Sequence, residues 1–144
     1  MTIKLQGRGT SHSRSETEID GNTVVIDEPV ARGGTGEGPS PTATAYAALI
    51  GCTNVIGHKC AHKLGHDIGN LAFEMEVDFD RRGVLLMEEV AVPFTAIRLD
   101  VTADGPCSAE ALQEVAGETA KFCAISKMFE AAGTALRITW RKAD

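Results

Sequence analysis

The 144-residue sequence predicts an α+β fold in which an antiparallel sheet accompanies one long helix. Three observations carry this expectation. LAFEMEVDFD and ALRITWRK alternate apolar and polar residues, as half-solvated strands do. Between Ser40 and Gly65 runs an apolar-rich stretch far longer than a strand. The strand-like segments fall in blocks on either side of that stretch, not one for one with helices, which disfavours a βαβ fold.

The elements follow in order. EIDGNTVVI reads as a β-hairpin, with Asp20-Gly21 at the turn where positive φ angles are needed. The preceding TSHSRSETE is polar on both faces, as expected of an edge strand or one lining a cleft. ARGGTGEGPSP, residues 31–41, is a glycine-rich loop that ends in a helix start, Ser40 as N-cap and Pro41 at the first helical position. That helix is expected to run to about Leu64 and stop at Gly65. In the next strand Leu71, Phe73, Met75, Val77 and Phe79 face one side and Glu74, Glu76, Asp78 and Asp80 the other. DRRG is read as a turn into a second strand, GVLLMEEVAV, which Pro93 interrupts before AIRLDV resumes. Ser108 caps a second helix with Leu112, Val115, Thr119 and Phe122 on one stripe. A third helix, about 123–132, ends at Gly133, and the last strand points Leu136, Ile138 and Trp140 inward.

Length and composition fit one domain, residues 1–144, able to bury roughly 70% of its unfolded surface. The formal net charge of −6, with Lys and Arg scattered, argues against nucleic acid as a partner. The longest apolar run, near 43–57, is too short and too interrupted to span a bilayer. The N-terminal MTIKLQGRGTSHSRS has no apolar core of signal-peptide length, and four cysteines without one are expected to be free thiols in the cytoplasm.

AALIGCTNVIGHKCAHKLGH, residues 47–66, holds two cysteines and three histidines. His58 and His62 are four apart and share a helix face, adequate for zinc, but no carboxylate or CxxC supports them, so solvated histidines are the expectation. Cys52 and Cys60 are eight apart, about 12 Å along a helix, too far for a disulfide that needs Cα atoms within roughly 7 Å. Any partner for Cys52 is therefore Cys107 or Cys123. By composition alone Cys52 reads as a packing residue, since free cysteine is commonly buried.

The string DEP…GG…GEGPSP…AALIGCTNVI, Asp27 to Ile56, resembles the OsmC/Ohr family of osmotically inducible and organic hydroperoxide resistance proteins. FCAISKMF, residues 122–129, is similar to that family's second cysteine motif, with Ala124 where proline is usual. The resemblance implies an intertwined homodimer in which antiparallel sheets wrap around long central helices. It implies a thiol peroxidase with Cys52 as the peroxidatic thiol and Cys123 as its resolving partner. Cys52 would reduce organic hydroperoxides and an external dithiol would restore it, with no organic cofactor and no metal. A cationic arginine is expected beside the thiolate: Arg14 first, Arg32 second. The family's carboxylate in the first turn of the helix is missing, since Thr42 and Ala43 stand there. The alternative is a catalytically weak protein on the same fold that binds a small apolar ligand at the dimer interface.

Cys60 and Cys107 have no place in this scheme. Replacing both with serine should leave any peroxidase rate within about twofold of the original, because a helix C-terminal half disfavours a thiolate at Cys60. A tenfold loss in a peroxide-consumption assay would show that the thiols have been paired wrongly.

Overall fold

The computed structural model describes residues 1–144, with elements β1 (Gln6–Gly9), β2 (Ser15–Ile19), β3 (Asn22–Ile26), α1 (Pro41–Leu64), β4 (Leu71–Phe79), β5 (Phe94–Ala103), α2 (Ala109–Phe122), α3 (Ala124–Ala131) and β6 (Ala135–Lys142). A short 3-10 turn, Val30–Arg32, lies between β3 and α1. The chain divides into two compact units, Met1–Ala48 and Leu49–Asp144. Helix α1 begins in the first and continues into the second. No helix is long and apolar enough to cross a membrane.

The first unit carries a three-stranded antiparallel sheet in the order β1-β2-β3. The β2–β3 hairpin turns at Asp20 and Gly21, with φ of 50° and 80°, the left-handed pair that a two-residue turn of this hand requires. The polar β2 is the middle strand rather than an edge, because β1, which its own composition does not announce, pairs along its other side. Ser40 starts α1 as expected: its hydroxyl accepts the Ala43 amide at 3.3 Å and its carbonyl accepts the Thr44 amide at 2.9 Å.

In the second unit β4 and β5 pair antiparallel, and β6 runs parallel to β5. The expectation of a wholly antiparallel sheet therefore holds for β4–β5 and for the N-terminal sheet but not for β6. Helices α2 and α3 form the crossover that returns the chain to the end where β5 began, and such a connection makes parallel neighbours. Strand β4 alternates in burial along its whole length, as its sequence requires. On its solvated face Arg98 of β5 reaches Glu76 at 3.0 Å and Asp78 at 2.9 Å. The expected strand GVLLMEEVAV does not form. Residues 81–92 make turns, and β5 begins only after Pro93. Arg82 ties the turn down by pairing with Asp80 and Glu88, while Pro93 offers no amide for a ladder.

Ile97, Leu99 and Val101 from β5, Leu112 and Val115 from α2, and Leu49 from α1 are essentially fully buried. Phe122, expected on the buried stripe of α2, is instead 54% exposed. Helix α2 ends there, the buried position passes to Cys123, and the Lys63 ammonium lies 5.4 Å from the Phe122 ring centroid. Along α1 the buried positions are Leu49, Thr53, Gly57, Cys60 and Ala61, one helical face.

Gly57 is required by its neighbour. A Cβ there would stand 2.7 Å from Cη2 of Trp140, so the helix can approach the indole of β6 only without a side chain. Trp140 is fixed from its other side, its carbonyl accepting the Gln113 amide at 2.9 Å. Gly57→Ala should therefore destabilise the protein by about 1–3 kcal/mol in urea unfolding, despite the better helix propensity of alanine. An unchanged or raised midpoint would show that the indole can give way.

Candidate functional site

The four cysteines are all reduced, and two of them meet. Cys52 lies in the interior of α1, where its own backbone groups are spent on the helix. Cys123 is the single residue between α2 and α3. It is the C-cap of one and the N-cap of the other, with φ −69° and ψ 106°. Its sulfur takes the N-cap acceptor role that serine or asparagine usually fills, receiving the Ser126 amide at 3.5 Å. The Cys52 and Cys123 thiols are neighbours, near enough for each to perturb the other's ionisation. Of the two partners open to Cys52, the structure brings Cys123 to it.

The electrostatics of the two sulfurs differ. Burial pushes the Cys52 thiol up, partly offset by the Ile125 and Ala124 amides, and the neighbouring Cys123 raises it further. Burial acts the same way on Cys123, which is 1% exposed. There the Ser126 side chain, the Cys52 thiol and the Ser126 and Ile125 amides together bring it below the ordinary thiol range. Ser126 is 3% exposed and its hydroxyl is left without a hydrogen-bond partner. Ala124 matters too: standing where the related motif has proline, it keeps an N–H that approaches Cys52 and that proline would lack.

Cys60 is buried at 4% exposure, and Cys107 lies before the α2 N-cap, where its carbonyl accepts from the Lys142 ammonium. His58 is committed to the backbone, with ring nitrogens 2.8 Å from the Asn54 carbonyl and 3.0 Å from the Gly69 carbonyl. His66 meets Glu114 at 3.2 Å. No group of three or more His, Cys, Asp or Glu is arranged to hold a metal ion.

In the first unit, Arg14 and Arg32 are placed differently. Arg32 is half-exposed and pairs with Glu28, four residues earlier in the chain. Arg14 is 19% exposed and clasped by two carboxylates, Glu16 at 2.6 Å and Glu37 at 2.7 Å, while its Nη1 donates to Thr10 at 2.8 Å. The hydrogen bond to Glu16 and the two negative charges raise the arginine further, and Arg8 and Arg14 hold Glu16 below the usual carboxylate range. The absence of a carboxylate from the first turn of α1 therefore does not leave this arginine unheld. Glu16 and Glu37 escaped the sequence reading because neither lies in that turn. The signal available was the charge alternation of RSETE and the acid inside the glycine loop.

That loop is organised by Asp27, which is fully buried. Its carboxylate accepts the amides of Glu28 at 2.8 Å, Thr35 at 3.0 Å and Glu37 at 3.3 Å, together with the Thr35 hydroxyl. The Thr35 hydroxyl bond above all holds Asp27 well below the ordinary aspartate range, against the opposing effect of burial.

With the thiol pair and the arginine cluster described, comparison with known proteins defines the class. A model of the OsmC-like protein family matches residues 34–139, and the chain belongs to that family. Its fold is shared by the OsmC-like protein of Mycoplasma pneumoniae, at 16% identity and TM-score 0.75 over 99% of this chain and 96% of that one. The organic hydroperoxide resistance protein OsmC of Legionella pneumophila matches at 18% identity and TM-score 0.68, over 97% and 96% of the two chains. That of Bacillus subtilis matches at 18% and 0.66, over 98% of each. At these identities the likeness defines the α+β fold. No curated protein sequence matches the chain.

The Asp27 network generates a pH prediction. Its folded pKa is depressed, so its contribution is fully present above the ordinary aspartate value of about 3.9 and is lost as pH falls below it. Asp27→Asn puts an amide among three N–H donors and a hydroxyl, and should lower stability at neutral pH while removing part of the acid-side slope. Unfolding curves of both proteins between about pH 2 and 7 measure this, and parallel curves would contradict it.

Proposed function

We propose that the protein is a thiol-dependent peroxidase that reduces organic hydroperoxides through Cys52 and Cys123. The single observation that supports this most is that these two thiols are neighbours at the start of α3. Hydroperoxide resistance in the names of the Legionella and Bacillus relatives points the same way. Cys52 attacks the peroxide, the O–O bond breaks, and the resulting sulfenic acid is captured by Cys123 as a disulfide. An external dithiol reverses that bond by exchange. Arg14, steadied by Glu16 and Glu37, is the residue proposed to support the sulfur's charge during attack.

In this reading residues 1–144 act as one OsmC-like domain in a cytoplasmic homodimer, in antioxidant defence under stress, with no organic cofactor or metal taking part. Exposed apolar side chains favour the dimer: Val55, Leu85, Leu86, Met87, Phe122 and Met128 are each at least half uncovered. Sedimentation should give a dimer at micromolar concentration, and a folded monomer would remove the dimer from the proposal.

One equivalent of an alkyl hydroperoxide should consume two thiols per chain and leave a Cys52–Cys123 link in the mass spectrum of a digest. Cys52→Ser should abolish that oxidation, since a hydroxyl is a far weaker nucleophile at neutral pH than a thiolate. Cys123→Ser should yield no disulfide and a sulfenic acid at Cys52 that a nucleophilic probe traps. Peroxide treatment that leaves both thiols free would sink the peroxidase reading and bring apolar-ligand binding forward.

A further inference from the structure

Helix α2 carries a glycine that none of its neighbours requires. Gly117 lies in the helix interior, where glycine weakens helical structure, yet a Cβ built there would meet nothing within 4 Å. Gly57 makes room for an indole, whereas Gly117 makes room for empty space. That space is a cavity of about 310 Å³ between α2 and β6, at the lower end of the size range of small-molecule sites.

We infer that this cavity binds a small, uncharged, mostly apolar molecule carrying one hydroxyl, and that Ser126 anchors that hydroxyl. Neither Cys52 nor Cys123 lines it, although Ser126 touches the Cys123 sulfur through its backbone amide. The site goes beyond the peroxidase reading and does not depend on it.

The walls set the chemistry of the guest. Ala116, Gly117 and Ala120 give α2 a low surface on this side, and Ile138 and Trp140 of β6 line the cavity with them. No acidic or basic side chain lines it, so a charged guest would lose its water without gaining a counter-ion. Three polar side chains take part in the lining, and two of them are engaged. The Thr119 hydroxyl donates to the Val115 carbonyl at 2.7 Å, and the Gln113 amide donates to the Trp140 carbonyl at 2.9 Å. Ser126 is different: it is 3% exposed, and its hydroxyl has no hydrogen-bond partner. A buried hydroxyl left in this state costs free energy that one hydrogen bond restores. It can donate or accept, so the hydroxyl of a guest suits it in either direction. The bare stretch of helix and the unpaired hydroxyl are independent observations, and they meet in one cavity.

The test uses 4-propylphenol as the probe, with propylbenzene as its counterpart lacking the hydroxyl. Titration of the full chain, followed by methyl NMR, should show saturable binding of 4-propylphenol with Kd below about 1 mM, the scale for a well-buried ligand of this size. The methyls of Ala116, Ala120 and Ile138 should shift, and that of Ala48, one helical turn before Cys52, should stay in place. Ser126→Ala should weaken 4-propylphenol about fivefold, the effect of one hydrogen bond, and leave propylbenzene unchanged. Gly117→Leu should weaken both by more than about tenfold, as wrongly filled space in an apolar pocket does. It should not lower the urea midpoint, because its Cβ has room and leucine is the better helix former. Ala120→Leu fills the same cavity from the next turn of α2 and serves if the first variant fails to fold. Absence of saturable binding would overturn the proposal, as would shifts centred on Ala48, binding that survives both leucine variants, or equal losses of the two probes in Ser126→Ala. No peroxide enters the experiment, so a failure here is distinct from a failure of the peroxidase reading.

Discussion

One residue with two backbone duties organises the second unit. Helices α2 and α3 meet with nothing between them except Cys123, whose extended backbone stops the first and whose sulfur starts the second. A turn made by one residue has no slack. It fixes the direction of α3, and with it the three amides that open that helix. The Cys52 contact then joins α1 to the same point. Because a sulfur rather than an oxygen does the capping, the residue that shapes the junction is also the one able to take part in redox chemistry. Structure and reactivity cannot be altered separately there.

The first unit is arranged around a different constraint, the burial of a charged carboxylate. Asp27 is removed from water but surrounded by donors from its own loop, so the cost of desolvation is met locally. The loop that wraps it carries Glu37, one of the two acids holding Arg14. A buried aspartate of this kind sets the course of a glycine-rich segment that has little apolar content to hold it. The cluster formed by Arg8, Arg14, Glu16 and Glu37 contains equal numbers of each charge, so the arginine is oriented without a net local field being built up.

Much of this was legible in the sequence where periodicity or capping chemistry is strong. Alternation alone located β4 and β6, Asp20-Gly21 the hairpin, and Ser40-Pro41 with Gly65 the limits of α1. What escaped lay where local pattern and tertiary context disagree. GVLLMEEVAV has strand composition, yet Arg82 and Pro93 leave it in turns with Val84, Leu85, Leu86 and Met87 exposed. Strand β1 is glycine-rich and polar and is called into being by pairing with β2. The parallel placement of β6 depends on the α2–α3 crossover, which no single strand encodes. Of the candidate site, motif position singled out both thiols, but the acids around Arg14 come from separate segments, Glu16 in β2 and Glu37 in the glycine-rich loop.

The close seating of Trp140 against Gly57 has an optical consequence. This is the protein's one tryptophan, 5% exposed, and it rests on the same helix that carries Cys52. Its indole lies in a fixed, nearly dry setting, so emission colour and intensity respond to small changes in what surrounds the ring. If α1 shifts against β6 when the sulfurs change oxidation state, the movement is written directly into the fluorescence of the unlabelled protein. The packing that makes Gly57 irreplaceable thus also equips the molecule with its own internal spectroscopic reporter.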